Sequence, residues 1–150
     1  MHISWNYLDK RKATIDAIES YDDMVFIIEH TDEEIIKLTD RMVGVGSPGM
    51  DGLPHAHDPK AGENRLINTI DEIDVLKERY RQAKEYMEWF KPAWEKLSED
   101  EQYILELFHI NRSARAVEMA ADHFGIDRSS VYPKKKRALD HFRTLLYGKC

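Results

Sequence analysis

The sequence predicts an all-α protein: a long N-terminal antiparallel helical hairpin followed by a C-terminal three-helix, helix-turn-helix domain. Three observations lead to this. Apolar residues recur at spacings of three, four and seven through most of the chain, the signature of amphipathic helices. Five of the seven glycines and three of the five prolines fall between residues 43 and 63, so one loop interrupts the helices. Near the C-terminus, Gly125 stands between two helical patterns, where a tight corner needs left-handed backbone.

In chain order, Ile18, Tyr21, Val25, Ile28, Ile35 and Met42 form the first stripe, with Asp32 and Thr39 as polar breaks in it. Thr31 followed by Glu34 has the form of a capping box, so this helix either stops near His30 and restarts or runs through. The loop 43–63 contains Gly46-Ser47-Pro48-Gly49-Met50-Asp51-Gly52-Leu53-Pro54 and cannot be regular helix. Its His55-x-His57-Asp58 cluster offers imidazole and carboxylate ligands. A zinc site normally needs three or four ligands on a rigid frame, so the cluster reads as part of a hairpin-tip loop, and no metal or other cofactor is expected. On the return, Leu66, Ile70, Ile73, Tyr80, Ala83, Met87, Phe90, Trp94 and Leu97 form a matching stripe with Leu76 beside it. Pro92 should bend or restart this helix, and Trp89 and Trp94 near the junction read as packing residues. Residues 1–96 are thus expected to form the hairpin and 97–150 the second domain.

That domain opens with Ser98 and Glu101, spaced as a capping box, ahead of Ile104, Leu107 and Phe108. Ala121 lies four positions before Gly125, and Val131 six after it. A small residue lets the second helix cross closely, and Phe124 and Ile126 fill the space at the turn. Ala138, Leu139, Phe142, Leu145 and Leu146 continue the buried stripe from Val131. If Asp127 caps this last helix, Pro133 falls in its interior at a cost of about 3 kcal/mol. A start at Ser130 would place Pro133 at the third helical position, where no intrahelical amide is lost, so the sequence favours a delayed or kinked start. Lys135 lies four residues after Val131; its stem can line the core edge while its ammonium reaches solvent or phosphate.

Charge is distributed unevenly. The whole chain carries 22 basic and 28 acidic residues, a net of minus six. Between Arg128 and Cys150 seven basic residues face Asp140 alone, giving plus six and leaving minus twelve for the remainder. Such a concentration on one helix is the electrostatic footprint of a phosphate-binding surface; the competing reading is an ordinary solvated helix face. With Val131 inward, Ser129, Tyr132 and Lys136 project outward and Arg128 lies at the leading end. These four are the candidates for base-edge contact in a major groove. Lys134, Lys135 and Arg137 suit backbone phosphates, as Arg112 and Arg115 could near the start of the first motif helix, although an exposed loop and helix end accounts better for that last pair.

Leu97-Ser98-Glu99-Asp100-Glu101, Ala120-Ala121, Phe124-Gly125-Ile126, Val131-Tyr132 and Arg137-Ala138-Leu139 resemble region four of bacterial sigma factors over about the last third of the chain. Across nearly its full length, the order of long helices, Gly/Pro/Met/Asp-rich loop and sigma-like C-terminus is similar to small phage or prophage regulators, the late-gene activators of the ArpU kind. The resemblance implies a transcription regulator that binds promoter-like double-stranded DNA and, as sigma region four also does, RNA polymerase.

A two-helix hairpin leaves apolar edges uncovered. Either a homodimer through the hairpin or a monomer offering that surface to RNA polymerase would complete the burial. A structural helical oligomer with little DNA affinity is the remaining alternative. The sequence has no glycine-rich phosphate loop and no nucleophile elbow, and pairs such as Asp71-Glu72 fit a solvated helix face, so enzymatic activity is not expected. No apolar run approaches the roughly 20 residues of a membrane helix, and no signal-like N-terminal segment is present, which points to the cytoplasm. Cys150 is the only cysteine, so an internal disulfide is impossible.

Overall fold

The computed structural model describes residues 9–45 and 60–149, and every element among them is helical. The elements are α1 (Lys10–Glu19), α2 (Tyr21–Val45), α3 (Ala61–Glu95), α4 (Glu99–Leu105), a π-helical turn (Glu106–Ile110), α5 (Ala116–Phe124) and α6 (Arg128–Tyr147). They fall into two compact units, one holding the chain up to Met24 together with Tyr86–Cys150, the other Val25–Glu85. The division does not follow the 96/97 boundary read from the sequence: α1 and the last turns of α3 belong with the C-terminal helices. The His55-x-His57-Asp58 cluster lies outside the described residues.

Ser20 ends α1. Its hydroxyl donates to the Asp16 carbonyl at 2.7 Å and its amide bonds the same oxygen at 3.0 Å, closing α1 one residue before α2 starts. Asp9 caps the other end, accepting from the Lys12 amide at 3.1 Å. The short helix buries Thr14, Ala17 and Ile18 and packs against α6 and the π-helical turn. The Thr14 hydroxyl is satisfied by the Lys10 carbonyl at 2.6 Å. Opposite, the Tyr86 hydroxyl donates to the Ala17 carbonyl, and burial pushes that phenol's pKa well above its ordinary value.

Phe90 is the centre of this first unit. It is fully buried, stacks between Tyr86 (5.2 Å) and Trp94 (5.5 Å), and meets Phe142 of α6 edge-on at 5.2 Å. Trp94 meets Phe142 at 5.4 Å, so its packing role holds, while Trp89 is only partly covered, edge-on to Tyr86 and Tyr147. Of the bend or restart expected at Pro92, the restart does not occur: the helix runs through it to Glu95. Its chain then turns into α4, held by Gln102 donating to the Trp94 carbonyl at 2.8 Å. The Ser98–Glu101 box is half formed: the serine accepts from the Glu101 amide at 3.2 Å, but the glutamate carboxylate is taken by His141 Nδ1 at 2.6 Å.

In the second unit α2 runs unbroken through His30 and Thr31. The Thr31 hydroxyl bonds the Ile27 carbonyl and does not cap a helix, so the Thr31–Glu34 box does not form. The seam keeps Ile28, Ile35 and Met42 from the expected stripe and takes Thr31 and Leu38 in place of Asp32 and Thr39. It passes through Ile28, Thr31, Ile35, Leu38 and Met42, leaving Asp32 and Thr39 exposed, so the two polar breaks face solvent. Leu38 packs with Ile73 and Leu76 of α3, joined by Ile35 and Met42. Leu66 and Ile70, expected in the seam, are exposed.

Replacing Leu38 by alanine should therefore lower stability by about 2–3 kcal/mol, whereas Thr39→Ala should change it by less than about 0.5 kcal/mol. Urea unfolding of the two variants measures this; equal effects would contradict the observed seam.

Candidate nucleic-acid interface

Gly125 sets the geometry of the basic helix. Its φ of 62° and ψ of 40° are left-handed, and the Ile126 amide bonds the Ala121 carbonyl at 3.1 Å to close α5. A Cβ at Gly125 would meet nothing within 4 Å, so the requirement for glycine is conformational, not one of space. Ala116, Ala120 and Ala121 are buried along α5, and α6 packs against that helix, α4 and α1.

Helix α6 begins at Arg128, with Asp127 as N-cap in extended conformation but without a side-chain capping bond. The delayed start at Ser130 does not occur, and Pro133 lies inside the helix, six residues into it. The Ser130 amide instead bonds the Asp127 carbonyl at 3.0 Å, a tightened first turn. Lacking an N–H, Pro133 gives the Ser129 carbonyl no helical donor, and that residue is exposed, where water can serve it.

Val131, Ala138, Leu139, Phe142 and Leu146 form the buried side. Arg128, Ser129, Tyr132 and Lys136 are all exposed, Tyr132 at 54%, so the structure brings the four base-edge candidates to the solvent face of one helix. The phosphate candidates are placed less uniformly. Lys134 lies over the Phe124 ring at 4.4 Å, and Lys135 over Phe108 at 4.6 Å and Tyr132 at 5.9 Å. Lys135 is half-buried, and burial together with the nearby Arg11 charge lowers its pKa. Arg137 is exposed, beside a shallow cleft of about 250 Å³ that also includes Asp100, Glu101 and Lys134.

A carboxylate that sequence reading overlooked binds the first arginine of α6 and one arginine outside that helix. Glu118 of α5 accepts from Arg115 at 3.1 Å and from Arg128 at 2.8 Å, and these cations lower its pKa. Glu118 stands ten residues before Arg128, a separation without a local pattern to reveal the pair. Arg112 has a left-handed φ of 46° and reaches Glu19 of α1 at 3.3 Å. Both Arg112 and Arg115 therefore stand in ion pairs, not freely displayed.

His109 sits beside this last pair. Its Nε2 is buried without a hydrogen-bond partner, and its Nδ1 is 3.9 Å from Glu19, beyond hydrogen-bond range. Burial, reinforced by the Lys135 charge, outweighs the attraction of Glu19 and lowers the imidazole pKa. No helix among the described residues is long and apolar enough to cross a membrane, and no cluster of three metal-ligating side chains occurs among them. Comparison with known protein families, curated proteins and solved structures found no match.

Because His109 is held neutral in the fold but titrates near 6.5 when unfolded, its contribution to stability is complete above 6.5 and is lost as pH falls below that value toward the folded pKa. NMR titration of the folded chain should return a His109 pKa below 6.5. A value at or above 6.5 would contradict the buried, unpartnered environment.

Proposed function

We propose that this chain is a sequence-specific DNA-binding transcription regulator of phage type, resembling sigma factor region four, that inserts α6 into the major groove of promoter-like duplex DNA. The observation that carries this reading is the two-sidedness of α6. One side is buried from Val131 to Leu146; the other presents Arg128, Ser129, Tyr132 and Lys136 in a segment of net charge plus six. Arginine and lysine can pair guanine, a serine hydroxyl can bond several base edges, and a tyrosine ring can pack on a thymine methyl. Arg137 and, on leaving their rings, Lys134 and Lys135 would neutralise phosphates and hold register.

A second reading draws on the occupied cations. With Arg115 and Arg128 on Glu118 and two lysines over aromatic rings, a domain of this kind can act as an RNA-polymerase-binding adaptor with little DNA affinity of its own. The two readings differ in their response to salt. Each phosphate neutralised releases counterions and contributes about −0.9 to the slope of log affinity against log salt.

A salt series on the full chain with duplex DNA therefore tests the proposal. The DNA reading predicts a slope of roughly −3 to −5 from a few phosphate contacts. Glu118→Gln, which releases Arg115 toward phosphate together with Arg128, should steepen the slope by about one and raise non-specific affinity. A flat or undetectable response in both proteins would reject the DNA reading in favour of the adaptor.

A further inference from the structure

The second unit has a small core, centred on Leu38, Ile73 and Leu76, and an apolar surface outside it on the first turns of α3. Ile67 is 49% exposed and Ile70 41% exposed. The residues seven positions either side of Ile70 are Glu63 and Lys77, both exposed. A heptad advances an α-helix by two turns within about 20°, so Glu63, Ile70 and Lys77 lie nearly in line, roughly 10 Å apart.

We propose that this line is a self-association surface, on which a second copy of the chain docks with its α3 antiparallel and centred on Ile70. A two-fold axis through Ile70 carries position 63 onto position 77. Each Glu63 then faces the Lys77 of the other copy, twice per dimer, around an apolar centre. A parallel arrangement would instead set glutamate on glutamate and lysine on lysine. One helix carrying opposite charges at equal distances either side of an exposed isoleucine is complementary to itself, and self-complementarity is the requirement of an isologous interface. The charge pattern thus selects both the occupant and its direction, as flanking charges do in coiled coils. The proposal does not depend on DNA binding.

Sedimentation equilibrium of the full chain over a concentration series tests it, with circular dichroism to follow folding. The wild type should show a monomer–dimer equilibrium, and Ile70→Asp, a change at an exposed site, should remain helical but be monomeric. Glu63→Lys and Lys77→Glu alone should each weaken dimerisation about tenfold, since each turns two attractive pairs into repulsive ones. The double exchange, Glu63→Lys with Lys77→Glu, should restore wild-type affinity, because antiparallel pairing sets the new lysine against the new glutamate. A wild type that is monomeric at all concentrations would overturn the proposal. So would a dimer indifferent to Ile70→Asp, or a double exchange no tighter than the single changes.

Discussion

Burial of Val131, Ala138, Leu139, Phe142 and Leu146 along one side of α6 fixes which residues the other side presents. Each of these except Ala138 contributes about 1.5–3 kcal/mol when withdrawn from water. The contacts on the outer face are far weaker: a lysine over an aromatic ring gives about 0.5–1 kcal/mol, and an exposed ion pair about 0–1 kcal/mol. The apolar side therefore decides the rotation of the helix, and the surface contacts decide only where individual cations rest. Arg128 on Glu118, Lys134 over Phe124 and Lys135 over Phe108 are resting positions that a polyanion can compete for, within a framework it cannot easily turn.

The framework is larger than three helices. Phe142 meets Phe90 and Trp94, so the end of α3 is part of the core that holds α6. On the other flank α1 contributes Ala17 and Ile18, and Glu19 faces both Arg112 and His109. The aromatic residues of α3 and the short first helix thus complete the core on which α6 rests.

Much of this was legible in the sequence where the pattern was local. The helical class, the corner at Gly125, the serine cap at Ser98 and the inward set from Val131 to Leu146 followed from spacing and residue type. In α2 the stripe was right at Ile28, Ile35 and Met42, but the positions between them were filled one residue late, by Asp32 and Thr39 in place of Thr31 and Leu38; Thr31, by bonding the Ile27 carbonyl, can be buried at little cost. Proline chemistry predicted a late or bent start to α6. The late start does not occur: α6 begins at Arg128, ahead of Val131 and Pro133. Non-local partnerships left no trace in the spacing: Glu118 with Arg128, Glu101 with His141, and Phe90 with Phe142 are separated by turns whose geometry no short pattern encodes.

The account rests on α6 discriminating between base sequences, and selection of bound duplexes from a random pool, at fixed physiological salt, addresses that most directly. It predicts an enriched core of a few base pairs, with enrichment lost when Tyr132 and Lys136 are both replaced by alanine in a chain that remains folded. A pool that emerges unenriched from successive rounds with the wild-type chain would contradict it.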